Sequence, residues 1–226
     1  MERASKSQLY VASRDGRTAP KSIAQSLCYC CKTSFLTGAD GAMYGVWRHV
    51  YPGDLRDMAF TVSRDGGRTF AAPVRVSEDG WEFDGCPDNG PTLAVDGSRR
   101  AHVAWPAPVD VKNPNALSLF YATSTDARRF TPRVRIPTRS NAGHVQIVAR
   151  ADGSALVAWD ESAEGGRRVR YTTIRRSPAG GTVTFALITE LGMGKYPALA
   201  VMGGTVLVTW SQAQAGGSVI GVRELP

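Results

Sequence analysis

With 226 residues, 42% hydrophobic and 21% charged, the chain has room for one large domain or two small ones and is too apolar for wholesale disorder. It has no run of about 18 apolar residues, which excludes a membrane-spanning helix, and Met1–Ser7 has no apolar core behind it and does not read as a signal peptide. The net charge of +7 comes mainly from arginines scattered in short pairs such as Arg99-Arg100 and Arg167-Arg168. That spread argues against a nucleic-acid partner and for general attraction to anionic surfaces or sugars.

Abundant glycine and proline, with short alternating apolar runs between them, predict an all-β chain. In chain order the first strand is Leu9–Ala12. Four groups follow, each built around a tryptophan. The first holds Ser26–Cys31, Gly41–Trp47, Asp57–Val62 and Val74–Val76. The second holds Pro91–Val95, Arg99–Trp105, Leu117–Ala122 and Val134–Ile136. The third holds His144–Val148, Gly153–Trp159, Arg168–Thr173 and Phe185–Ile188, and the last Tyr196–Val201, Gly204–Trp210 and Ser218–Val222. The tryptophans at 47, 105, 159 and 210 are spaced by 58, 54 and 51 residues. Four antiparallel strands in about 50 residues is the content of a β-propeller blade. The reading is one propeller domain over 1–226, with a partial blade at 1–25 and blades at about 26–80, 81–140, 141–191 and 192–226. About four and a half blades are visible, and the open edges are expected to meet a protein partner or a second copy.

The turn Ser63-Arg-Asp65-Gly66-Gly67-Arg-Thr69-Phe70 resembles the Asp-box, S-x-D-G-G-x-T-[FW], of the sialidase-like (BNR-repeat) propellers. Weaker copies centre on Asp15 and Asp126, and Ser177–Thr182 keeps the place without the Asp. Asp folding back on backbone N–H groups and Gly accepting positive φ suit a tight turn. The resemblance implies a six-bladed fold, in which this chain would be the later portion, unless it closes as a small ring or completes its edge against a partner. In that family the box is a structural turn away from the catalytic face.

In a propeller the loops entering each first strand form the functional face. This places Asp84, Cys86, Asp88, His144, Lys195 and Tyr196 there. Cys28, Cys30 and Cys31 are assigned to a first strand, where alternation sends Cys28 and Cys30 to one side and Cys31 to the other. A disulfide from Cys86 to Cys30 or Cys31 is the leading expectation, consistent with a periplasmic or secreted protein. A metal or redox site on Cys28, Cys30, Cys31, Cys86 and a histidine is a second option, although C-x-C-C is not a standard zinc spacing. Otherwise no cofactor is expected.

Between the second and third strands, Arg48, His49, Asp54, Arg56 and Asp57 crowd one connection. One reading is an Arg–Asp network pinning a loop. The other is an anion site in which Arg48 and Arg56 grip a carboxylate. With the cysteines on either side, this stretch resembles bacterial sialidase-like proteins of undefined activity. Sialidase chemistry, by that resemblance, needs three arginines, a Tyr–Glu pair and an acid/base Asp. The weak catalytic candidates are Arg48, Arg56, Asp57, Tyr196 and Glu161. Arg135-Ile136-Pro137 spells the family's R-I-P motif but in a fourth strand, and is read as coincidence; Asp160, Glu161 and Glu164 are read as solvated loop acids. The expected function is a non-catalytic binding or assembly module for a protein or an anionic glycan. An exo-sialidase-type hydrolase is the alternative.

Overall fold

The computed structural model describes residues 6–16, 19–85, 87–177 and 181–225. They form antiparallel sheets and no helix. Strands β1 (Gln8–Val11) and β2 (Lys21–Gln25) pair as a hairpin. The first larger sheet runs β3 (Ser34–Thr37), β4 (Met43–Arg48), β5 (Met58–Ser63), β6 (Val74–Arg75). The second runs β7 (Thr92–Val95), β8 (Ala101–Pro108), β9 (Leu117–Ser124), β10 (Val134–Ile136). The third holds β11 (Ala142–Ala149), β12 (Ala155–Ala163), β13 (Gly166–Arg176) and β14 (Val183–Phe185), with β15 (Thr189–Met193) also on β13. The last has three strands, β16 (Lys195–Met202), β17 (Thr205–Gln214) and β18 (Gly217–Leu225).

The first strands of the four larger sheets lie side by side in succession: β3 by β7, β7 by β11, β11 by β16. Apolar side chains of neighbouring sheets fill the space between them. Val46, Phe60 and Trp105 share one cluster, and Ala104, Val145 and Trp159 another. The repeating tryptophans are therefore the anchors between sheets, standing on β4, β8, β12 and β17 and almost wholly buried. Three of their indole N–H groups find acceptors: Asp79 for Trp105 at 2.7 Å, Glu161 for Trp159 at 2.9 Å and the Met193 carbonyl for Trp210 at 3.2 Å. No strand pairing among the described residues joins β18 to β1 or β2.

The turn after β5 bears out its chemistry. Asp65 accepts from the Thr69 amide at 2.9 Å and hydroxyl at 2.6 Å, and Ser63 accepts from Gly67 N at 2.9 Å. These bonds hold the Asp65 carboxyl well below its ordinary range, Thr69 first among the causes. Gly66 and Gly67 have φ of 73° and 85°, and Phe70 closes against Phe35. At Asp126 the Arg128 and Arg129 amides are the donors, and Ala127 takes φ 59° where glycine is missing. The third copy falls partly outside the described residues, as does the Asp15 turn.

Two strand assignments need correction. Ser26–Cys31 is not a first strand; that role belongs to β3. Residues 26–31 form a single bridge, Leu27 to His49, followed by a turn closed by Cys31 N donating to Cys28 O at 3.0 Å. The apolar run misled because cysteines filled it. Of the predicted strand at Phe185–Ile188 only Phe185 lies in a strand; the rest links β14 to β15, which pair successively with β13.

Candidate functional site

A cleft of ≈ 180 Å³ opens where the first strands begin, lined by Lys32, Asp88, Asn89, Gly90, His144, Gln146, Tyr196 and Pro197. The loop before β7 and the opening residues of β11 and β16 bring Asp88, His144 and Tyr196 together. Three residues of this lining have left-handed backbones without being glycine: Asp88 (φ 46°), His144 (φ 50°) and Tyr196 (φ 57°). His144 and Tyr196 occupy matching positions, each at a register shift that opens its strand pair. Such bulges re-aim side chains, and strain of order 1–3 kcal/mol each persists only where surroundings enforce it.

Three cross-sheet hydrogen bonds do the enforcing. Lys32 Nζ donates to the Val145 carbonyl at 2.9 Å. His144 N donates to Asn89 Oδ1 at 3.0 Å, and Tyr196 N to Asp160 Oδ2 at 2.7 Å. Lys32 is exposed as a whole residue, but it lines the cleft with its ammonium on the Val145 carbonyl, and burial lowers its pKa to about 8. The backbones are packed to contact: a Cβ on Gly90 would stand 2.0 Å from the Lys32 carbonyl oxygen. Gly90→Ala should therefore cost about 2–3 kcal/mol, read as a lower denaturation midpoint. An unchanged midpoint would mean the lining can yield.

Beneath the cleft lies Asp160, 0% exposed. It meets His144 Nδ1 at 2.8 Å, Tyr196 N, and the Arg167 guanidinium. Burial pushes its pKa up, but these partners, His144 foremost, outweigh that and hold it below the ordinary value. His144 also packs against the Tyr196 ring at 4.3 Å, and Lys195 holds its ammonium 5.2 Å from that ring on the other side of the site's rim. Tyr196 keeps 52% of its surface exposed. The arrangement offers a cation, an oriented imidazole and a half-exposed aromatic ring.

The arginine loop goes elsewhere. Arg48 is 1% exposed and spends its donors on the carbonyls of Arg56 (2.9 Å), Asn89 (2.7 Å) and Pro106 (2.8 Å), with its guanidinium 4.7 Å from the Trp81 ring. Arg56 is buried, donates to the Phe83 carbonyl at 3.0 Å and pairs with Asp54 at 3.6 Å. Asp57 is buried against Arg75 and accepts from Asp79 N at 3.0 Å. These are the loop-pinning partners, and neither arginine lines the cleft. His49 packs on Tyr51 at 4.3 Å; burial first, and the Arg75 charge second, lower its pKa. Asp84 is exposed. Arg135 donates to Ser118 on an outer strand, far from the cleft in the fold.

The acids after Trp159 also differ from expectation. Asp160 and Glu161 are interior, and only Glu164 is exposed. Glu161 is 1% exposed, pairs with Arg170 at 2.8 Å and accepts from Trp159. Strand β12 simply continues past its tryptophan, so the acids stay in the sheet. Lys32 is the site residue that sequence reading passed over, and Asp160 the one it read as a solvated loop acid.

Cys28 and Cys31 are buried free thiols. The sulfurs of Cys28, Cys30 and Cys31 lie within 4.8 Å of one another. Expected alternation would have separated Cys31 from Cys28; the turn instead brings their Sγ atoms to 3.1 Å. Cys86 lies outside the described residues.

A larger depression of ≈ 600 Å³ lies at the other end of the strands, among turns that include Asp96, Arg100, Asp126 and Asp152. Its acids are consumed locally: Asp96 by Ser98, Arg100 N and buried His102, Asp126 and Asp152 by turn amides.

No protein-family model and no curated protein matches the chain. Solved structures do match in fold. A Hadza microbial sialidase aligns with TM-score 0.56 at 16% identity, over 84% of this chain and 43% of its own. A Trypanosoma rangeli sialidase aligns with TM-score 0.53 at 12% identity, over 96% of this chain and 38% of its own. An ulvan lyase bound to a GlcA–Rha3S chain aligns with TM-score 0.55 at 12% identity, over 91% and 55%. The fold is that of the sialidase β-propellers, and the chain spans less than half the length of these sialidases. No helix of the described residues is long and apolar enough to cross a membrane.

Proposed function

We propose that this chain is a glycan-binding propeller module, working outside the cytoplasm, that holds an anionic sugar in the cleft. The observation that carries this is the convergence of the Lys32 ammonium, His144 and the half-exposed Tyr196 ring on one cross-braced cleft. A sugar ring stacks on an aromatic face, and a carboxylate or sulfate pairs with a cation. The fold neighbours include enzymes of acidic glycans, which supports the substrate class. No arginine is among the described cleft residues, so the carboxylate grip that sialidase chemistry needs is without support here.

Calorimetry with uronate-containing or sulfated oligosaccharides at low salt tests the proposal. Lys32→Ala or Tyr196→Ala should weaken binding about tenfold, the ~1.4 kcal/mol of one charged or stacking contact. Wild-type affinity should fall as pH rises through about 8, where Lys32 loses its charge. Equal binding by wild type and both variants would overturn the proposal.

One geometry favours a second reading, acid–base cleavage of the glycan. His144, oriented by Asp160 at 2.8 Å and set against Tyr196, has the form of a proton-transfer pair. Release of new sugar ends from a bound polysaccharide, lost in His144→Gln, would establish it; intact polysaccharide after incubation would dismiss it.

The remaining edges belong to the same proposal. Among the described residues strand β18 pairs only with β17 and exposes Val219, Ile220 (66%) and Val222. A further strand, from a longer chain, a partner or a second copy, is proposed to cover it. The disulfide from Cys30 to Cys86 is likewise part of this reading.

A further inference from the structure

We propose that Cys28 and Cys31 form a redox-active dithiol, with Cys28 the attacking thiolate and Cys31 its resolving partner, and that its substrate is a small disulfide. Cys28-Tyr29-Cys30-Cys31 places these two cysteines in C-x-x-C spacing. The turn hydrogen bond from Cys31 N to Cys28 O, at 3.0 Å, folds the segment so that the two sulfurs face each other. Their separation of 3.1 Å, with Cys31 donating to Cys28, needs little movement to become a bond. Cys28 N is itself tied to the Arg48 carbonyl at 3.0 Å, so the turn rests on the end of β4.

The charges are arranged for one thiolate. Buried Arg48 and Arg56 both act on Cys28. The Cys31 hydrogen bond comes first, then burial in opposition, then the two arginines; together they lower the Cys28 thiol to about 6. The same hydrogen bond and burial push Cys31 up. One cysteine is therefore ready to attack near neutral pH while its neighbour holds a proton in reserve, the asymmetry of a thiol–disulfide exchange pair. Exposures of 4% and 8% limit the substrate to a small or extended disulfide.

The exchange balances. Cys28 thiolate attacks one sulfur of R–S–S–R, forming a Cys28–S–R mixed disulfide and releasing one thiolate, which takes up a proton. Cys31 gives its proton to solvent and attacks Cys28 Sγ. The Cys28–Cys31 bond forms and a second R–S⁻ leaves. The protein loses two electrons and the small disulfide gains them.

Equilibration of the whole chain in oxidised and reduced dithiothreitol, followed by acid quench, alkylation and peptide mass mapping, tests this. The expected result is a reversible Cys28–Cys31 disulfide in the wild type. In Cys31→Ser incubated with oxidised glutathione, one glutathione should instead stay trapped on Cys28 as a mixed disulfide. Alkylation of wild-type Cys28 should rise with a midpoint near pH 6, far below an ordinary thiol. The wild-type mapping needs no variant, so a misfolded variant leaves the test intact. Two thiols still alkylatable under oxidising buffer would overturn the proposal. So would thiols that react only after a chelator strips a bound metal ion.

Discussion

Arg48→Met is expected to destabilise the protein by about 4 kcal/mol, the scale of a buried charged group removed from its acceptors. The guanidinium is 1% exposed and bonds the Arg56, Asn89 and Pro106 carbonyls together. Methionine keeps most of the volume against Trp81 but donates nothing. Three carbonyls lose a buried donor, and the loop before β7 and strand β8 lose their common tie. Urea unfolding, compared at constant slope, measures the loss. A deficit under about 1 kcal/mol would mean that water replaces the guanidinium. The same variant should also shift Cys28 alkylation to higher pH, because one of its two cations is gone.

Asp160→Asn is the second large effect, with an expected loss of about 3 kcal/mol. The partners His144 and Arg167 are partly exposed, which keeps the loss at the low end for a broken buried pair. The folded-state pKa of Asp160 is depressed. Its stabilisation is therefore present above the unfolded carboxyl pKa of about 3.9 and is lost as pH falls through the lower folded value. Wild type and variant should differ near neutrality and converge in acid. A difference that persists unchanged at low pH would show that packing, not charge, carries the effect. His144 and Tyr196 should lose their fixed positions in the variant, so glycan binding should fall with stability.

Much of the fold was legible because it repeats. A tryptophan every 51 to 58 residues marks the second strand of each larger sheet, and its burial explains why that position tolerates so little variety. The turn chemistry at Asp65 was legible too, since serine, aspartate and paired glycines make their bonds within a few residues. The Cys28–Cys31 turn was not. Its apolar run satisfied the strand pattern, and only the bond from Cys31 N to Cys28 O shows the chain reversing. Arg48 and Arg56 looked like an anion grip because charge is expected at surfaces. Their burial depends on carbonyls from segments 8 to 58 residues away, which local pattern does not register.

The cleft divides the same way. The repeat position of Asp88, His144 and Tyr196 at the entries to successive first strands marked them as one face, because equivalent positions in repeated sheets share an end. Lys32 and Asp160 were decided by tertiary structure alone. Lys32 reaches the Val145 carbonyl across 113 positions of sequence, and Asp160 meets Tyr196 across 36. The 226 residues and their tryptophan spacing determine an all-β chain of repeated sheets, since period, turn and core are local properties of the sequence. Which charges are buried, which thiols touch and which side chains share a cleft follow from how the sheets pack, because hydrogen bonds between sheets hold backbones in conformations that no short segment would adopt by itself.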